Sequence, residues 1–106
     1  MAEEIVLFGG RLGTQSVRVW LEDRGGRIAL LSHDIGPGLE RAFGTDEIET
    51  FLEIDADHLA ALATAHDATA DPMTLLATRY GGDSMATSHL RELLAEHDIP
   101  HRFNVV

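Results

Sequence analysis

The polar and apolar positions change period part-way along the chain, and the change predicts two kinds of element. Ile5-Val6-Leu7-Phe8 is a short apolar run that predicts a first strand, broken by Gly9-Gly10-Arg11-Leu12-Gly13. Val17, Val19 and Leu21 then alternate with Arg18, Trp20 and Glu22. A period of two turns one set toward a core and the other toward solvent. Asp23-Arg24-Gly25-Gly26 carries turn chemistry, because glycine accepts positive φ at little cost. Ile28-Ala29-Leu30-Leu31 supplies the return strand, so the spacing predicts a β-hairpin over 16–33. His33 to Gly38 reads as a loop, and Leu39 to Phe43 as one helical turn ended by Gly44. Glu47 to Ile54 alternates again. Ile48, Thr50, Leu52 and Ile54 share one face; Glu47, Glu49, Phe51 and Glu53 share the other.

Beyond residue 55 the period becomes helical. Asp57 is a suitable N-cap for a helix in which Leu59, Leu62 and Ala63 recur up to His66. Asp71-Pro72 opens a second helix, with Asp as cap and Pro at its first position. Met73, Leu76, Ala77 and Tyr80 form its stripe, and Gly81-Gly82 stops it. A third helix starts from Asp83 or Ser84 and lines its inner face with Leu90, Leu93, Leu94 and His97. Pro100 disfavours helical geometry at Ile99 and ends it. His101 to Val106 reads as a last strand. The order predicts a single α+β domain over 1–106. Its sheet is mainly antiparallel, with about four to five strands, and three helices of the C-terminal half pack on one face.

Charge changes the picture more than composition does. The 106 residues include 18 acids against 8 Arg and no Lys, for a formal net charge of −10. Residues 45–78 hold eight of those acids and no Arg, so about a third of the chain carries most of the excess. A field of that sign repels phosphate backbones and attracts basic surfaces. Cysteine is absent, which excludes disulfides, thiol catalysis and cysteine-ligated metals. The acidic start Met1-Ala2-Glu3-Glu4 lacks the basic region of a secretion signal, and no apolar run is long enough for a bilayer. A cytoplasmic protein is expected, and the Arg-for-Lys usage suggests a bacterial genome rich in GC.

Several constellations resemble chemistry without having its geometry. Ser32-His33-Asp34 contains the residue types of a hydrolytic triad, but consecutive strand residues point to opposite faces. Gly9 to Gly13 lacks phosphate-loop spacing and is followed by a strand, not a helix. The helix-turn-helix pattern of Pro72 to His97 lies in an acidic chain, where DNA readers are basic. Asp55, Asp57 and His58 form D-x-D-H at a strand-to-helix junction, a set that could bind a divalent ion. Acids there are also stabilised by the helix dipole, and no H-x-x-x-H pair completes a shell, so no metal and no cofactor is expected.

The strongest candidate is the acidic strand. Along its outward face Glu47, Glu49, Phe51 and Glu53 recur about 7 Å apart. Trp20 lies between Arg18 and Glu22 on the corresponding face of the hairpin. An aromatic ringed by acids suits an Arg- or Lys-rich partner.

Asp34-Ile35-Gly36-Pro37, Phe43-Gly44, Asp55-Ala56-Asp57-His58 and the stretch from Leu93 through His97-Asp98-Ile99-Pro100 to Phe103 together resemble a family of small uncharacterised proteins from high-GC bacteria. Those chains end in a similar helix, E-H-G-I-P and aromatic signature. Where they often carry Gly after the final His, this chain has Asp98. The resemblance covers about 34–103 and implies one compact domain, with no activity attached.

The expected function is therefore a non-catalytic protein-binding module of the immunity, antitoxin or inhibitor kind. It would mask a basic protein partner through Glu47, Glu49, Phe51, Glu53 and Trp20, with Asp55 and Asp57 on the rim. Nucleic acid and membrane are not expected partners. The alternatives are an enzyme or ligand binder using Asp55, Asp57 and His58, or His33 and Asp34, and a homodimer formed through the C-terminal strand at Val105-Val106.

Overall fold

Five strands and three helices follow one another in an order set by the change of period. The computed structural model describes residues 3–39, 44–65 and 71–105, and for 61–65 the backbone alone. Four strands come first: β1 (Glu4–Leu12), β2 (Gln15–Asp23), β3 (Arg27–Ile35) and β4 (Glu47–Asp55). Then come α1 (Ala56–Ala65), α2 (Pro72–Tyr80), α3 (Ala86–Glu96) and β5 (Arg102–Val105). The sheet has the order β1-β2-β3-β4-β5, and every neighbouring pair is antiparallel. The fold is α+β. No described helix is long and apolar enough to cross a membrane.

Two strands run further than the hydrophobic pattern alone indicates. β1 continues through Gly9 and Gly10, which pair with Arg18 and Val17. A register shift between Val6 and Phe8 marks a bulge. The extra residue lets both Leu7 and Phe8 reach the core, which explains an apolar run that does not alternate. β3 continues to Ile35, so His33 and Asp34 are strand residues paired on both sides, not loop residues. At its end Gly36 passes so close to β2 that a Cβ would sit 2.9 Å from the Gln15 Cα. The β2–β3 turn uses Gly25 (φ 69°) and Gly26 (φ 88°), as the turn chemistry requires.

Helix ends follow the sequence in part. Asp71 caps α2, accepting from the Thr74 N–H at 3.2 Å and its hydroxyl at 2.7 Å. Those bonds hold its carboxyl below the usual aspartate value. α1 begins at Ala56, so Asp57 lies inside the first turn and acts through the dipole, not as the cap. Met85, not Asp83 or Ser84, precedes α3, and no side chain caps it. Asp83 instead accepts from the Met85 N–H at 2.8 Å and pairs with His89 at 2.5 Å. His97 is an exposed C-cap, where an inward position was expected. The chain then reverses at Asp98 (φ 52°). Bonds from Asp98 N to Ala95 O (3.3 Å) and Ile99 N to Leu94 O (2.9 Å) make a Schellman motif. That reversal carries Ile99, not His97, into the core. The helical turn expected at Leu39 to Phe43 falls on residues 40–43, outside the described residues, as do His66, Val106 and the side chains of Leu62 and Ala63.

One cluster holds the buried residues together. Val17, Val19, Leu21, Ile28, Leu30, Leu52 and Ile54 share it with Leu59 of α1, Met73, Leu76 and Tyr80 of α2, and Leu90, Leu93 and Leu94 of α3. The strand members occupy one face by register, as the alternation of β2 and β4 predicts. Arg18, Trp20, Leu31, His33, Glu49 and Phe51 point the other way and are outside the cluster.

Candidate functional site

The outward face of the sheet is organised in rows, because antiparallel partners directly opposite one another share a face. Val6, Trp20, Leu31, Phe51 and Asn104 are successive partners across all five strands. The row is apolar from Val6 to Phe51 and ends at the Asn104 amide on β5. A hollow of 340 Å³ lies along it, walled by Trp20, Leu31 and Phe51 with Glu49 at its side.

Charged rows flank the stripe. On one flank each acid meets an arginine. Glu22 accepts from Arg24 at 2.7 and 2.9 Å and from the Trp20 indole N–H at 3.1 Å. The indole bond first, and then Arg24, hold the Glu22 carboxyl below its ordinary value. Glu53, whose side chain is only 12% exposed, lies 3.5 Å from both Arg27 and Arg102. Asp55 lies 3.7 Å from Arg27.

The other flank has no such match. Glu47 and Glu49 are 52% exposed, and among the described residues their ionic partner is His33, at 2.6 and 3.7 Å. Arg18 stands next to His33 by register, but its guanidinium is drawn away to Glu4 at 2.7 Å and over the Trp20 ring at 4.4 Å. Arg24 covers Phe51 in the same manner at 4.8 Å. Both rings therefore already serve as guanidinium platforms.

Of the residues named from sequence, Trp20, Glu47, Glu49, Phe51, Glu53 and Asp55 come together on this face. Asp57 stands apart on α1 and is exposed. Within the Asp55, Asp57 and His58 set, the one close approach is His58 Nδ1 to Asp55 Oδ2, at 3.9 Å. The donor atoms that converge are instead those of His33, Glu47 and Glu49, all within 4.8 Å of one another. One imidazole and two carboxylates form a set that a divalent ion accepts, though here both carboxylates are exposed and the imidazole is half-buried. This trio was missed because it depends on the β3–β4 register, which places Glu49 opposite His33. No family model, curated protein or solved structure matches the chain.

Proposed function

We propose that the protein is a non-catalytic docking module of the immunity, antitoxin or inhibitor kind. Its three helices cover one face of the sheet, and the other face masks a basic surface on a partner protein. The observation that carries this reading is the pairing of an aromatic stripe with Glu47 and Glu49, exposed carboxylates that no arginine neutralises among the described residues. A partner's arginine or lysine meets there an available negative charge, beside rings that already carry the guanidinium groups of Arg18 and Arg24. Glu53 and Asp55 are already shared with Arg27 and Arg102, so they act as a fixed rim.

Trp20 is the sole tryptophan, so its fluorescence reports contact on this face alone. The test titrates an arginine-rich peptide at about 50 and 300 mM salt, where screening differs strongly. Affinity is expected to fall at the higher salt, and by roughly tenfold or more in Glu47→Arg/Glu49→Arg. Glu92→Arg/Glu96→Arg on α3 is expected to change it less than about twofold. Equal losses in both double variants would mean binding by net charge, and would remove the site.

The edge position of β5 favours a second reading. Val105 is 61% exposed there, and an open edge invites pairing with another copy. A monomer by light scattering at high concentration removes the homodimer.

A further inference from the structure

The inward face is aliphatic at one end and polar at the other. The row Leu21, Leu30 and Leu52 is followed by Val19, Ser32 and Thr50, and then by Val17, Asp34 and Ile48. Polar groups set among buried aliphatics are costly unless bonded, so their partners matter. Ser32 and Thr50 bond each other through their hydroxyls. Asp34 accepts from the Gln15 amide at 3.2 Å. Opposite them, in the first turn of α3, the Thr87 hydroxyl oxygen is buried with no hydrogen-bond partner.

A cavity of 180 Å³ lies between these groups. It is lined by Ser32, Asp34, Thr50 and Phe103 from the sheet, and by Ser84, Thr87, Ser88 and Arg91 from the helix side. At ~30 Å³ per water it has room for about six waters, which is the scale of a small metabolite. Two charges border it and do not pair with each other. Arg91 lies over the Phe103 ring at 3.8 Å and makes no ion pair among the described residues. Asp34 makes no ion pair either, and burial raises its carboxyl above the usual aspartate value. A positive and a negative group held apart across one hydroxyl-lined cavity match a ligand that carries both charges itself.

We propose that this cavity binds a small zwitterion of the free α-amino-acid class, with its carboxylate toward Arg91, its ammonium toward Asp34 and a polar atom on the Thr87 hydroxyl. This site and the hollow of the docking surface both border Ser32 and Thr50, but they share no charged residue, and the proposal does not rest on the docking reading.

L-serine is the probe, with acetate and ethylammonium as controls that each carry one of its two charges. Thermal unfolding and amide chemical shifts are followed on the full chain. L-serine is expected to raise the midpoint by about 5 °C at tenfold above its Kd, with shifts centred on Asp34, Thr87 and Ser88. Arg91→Gln, an exposed position that leaves the core intact, is expected to weaken it by roughly tenfold or more. Asp34→Asn is expected to do the same, and Glu47→Arg/Glu49→Arg to leave it unchanged. Three results overturn the proposal: no saturable shift up to about 50 mM, which means a water-filled cavity; acetate binding as well as L-serine; or L-serine binding that survives Arg91→Gln.

Discussion

Leu30 and Leu31 are neighbours in β3 with the same side chain, and their surroundings have nothing in common. Leu30 is sealed between Leu21 and Leu52 in the cluster they share with helical residues. Leu31 lies between Trp20 and Phe51 on a face that keeps part of its apolar surface in view. The inward face removes area from water and so supports the fold. The outward face leaves area and charge in place, and only its Arg-matched flank is self-satisfied. Stability and docking are thus divided between alternate residues of the same strands.

The largest expected effect separates the two faces directly. Leu30→Ala should cost about 2–5 kcal/mol, because it opens a cavity in a fully buried row. Leu31→Ala should cost about 1 kcal/mol or less. Urea unfolding of both variants checks this, and equal losses would mean that the outward face is also covered. The next effect separates the two flanks. Glu53→Ala takes from Arg102 its carboxylate and from Arg27 one of two, and should cost about 1 kcal/mol, whereas Glu49→Gln should change stability by no more than ~0.5 kcal/mol.

A smaller effect concerns how the inward face is closed. Asp98 adopts positive φ at the end of α3, where glycine is relaxed, so Asp98→Gly should stabilise by about 0.5–1 kcal/mol. The smallest lies on the exposed side of α3. The hydrogen bond to Asp83 raises the folded pKa of His89 above its ordinary 6.5. Protonation is then favoured by folding, so the contribution is fully present below pH 6.5 and is lost as pH rises through the folded value. The stability difference between wild type and His89→Ala should narrow in that direction. A difference that widens with rising pH contradicts the pairing.

The faces of β2 and β4 were legible from alternation, because a side chain's face depends only on its parity. The Asp71-Pro72 start of α2 was legible too, since cap and first turn are adjacent in sequence. What depended on pairing was hidden. Nothing local tells Gly9 and Gly10 to continue β1; β2 supplies the ladder they join. The run at His33 looked like a loop until β2 and β4 were set on either side of it. For the same reason the acids of the outward strand looked alike. Arg24 is two residues from Glu22, but Arg27 and Arg102 come from separate segments, and only the assembled sheet shows that they neutralise Glu53 and Asp55 while sparing Glu47 and Glu49.

The meander order has a consequence for synthesis. Strands β1 to β4 pair only with their sequence neighbours, so a nascent chain that has reached Asp55 already contains every contact of three hairpins. It lacks Leu59, Leu76, Leu90 and Leu94, which share the buried cluster with Leu21, Leu30 and Leu52. Until the ribosome delivers them, a hydrophobic sheet stands uncovered, the condition in which emerging chains stick to one another or to chaperones.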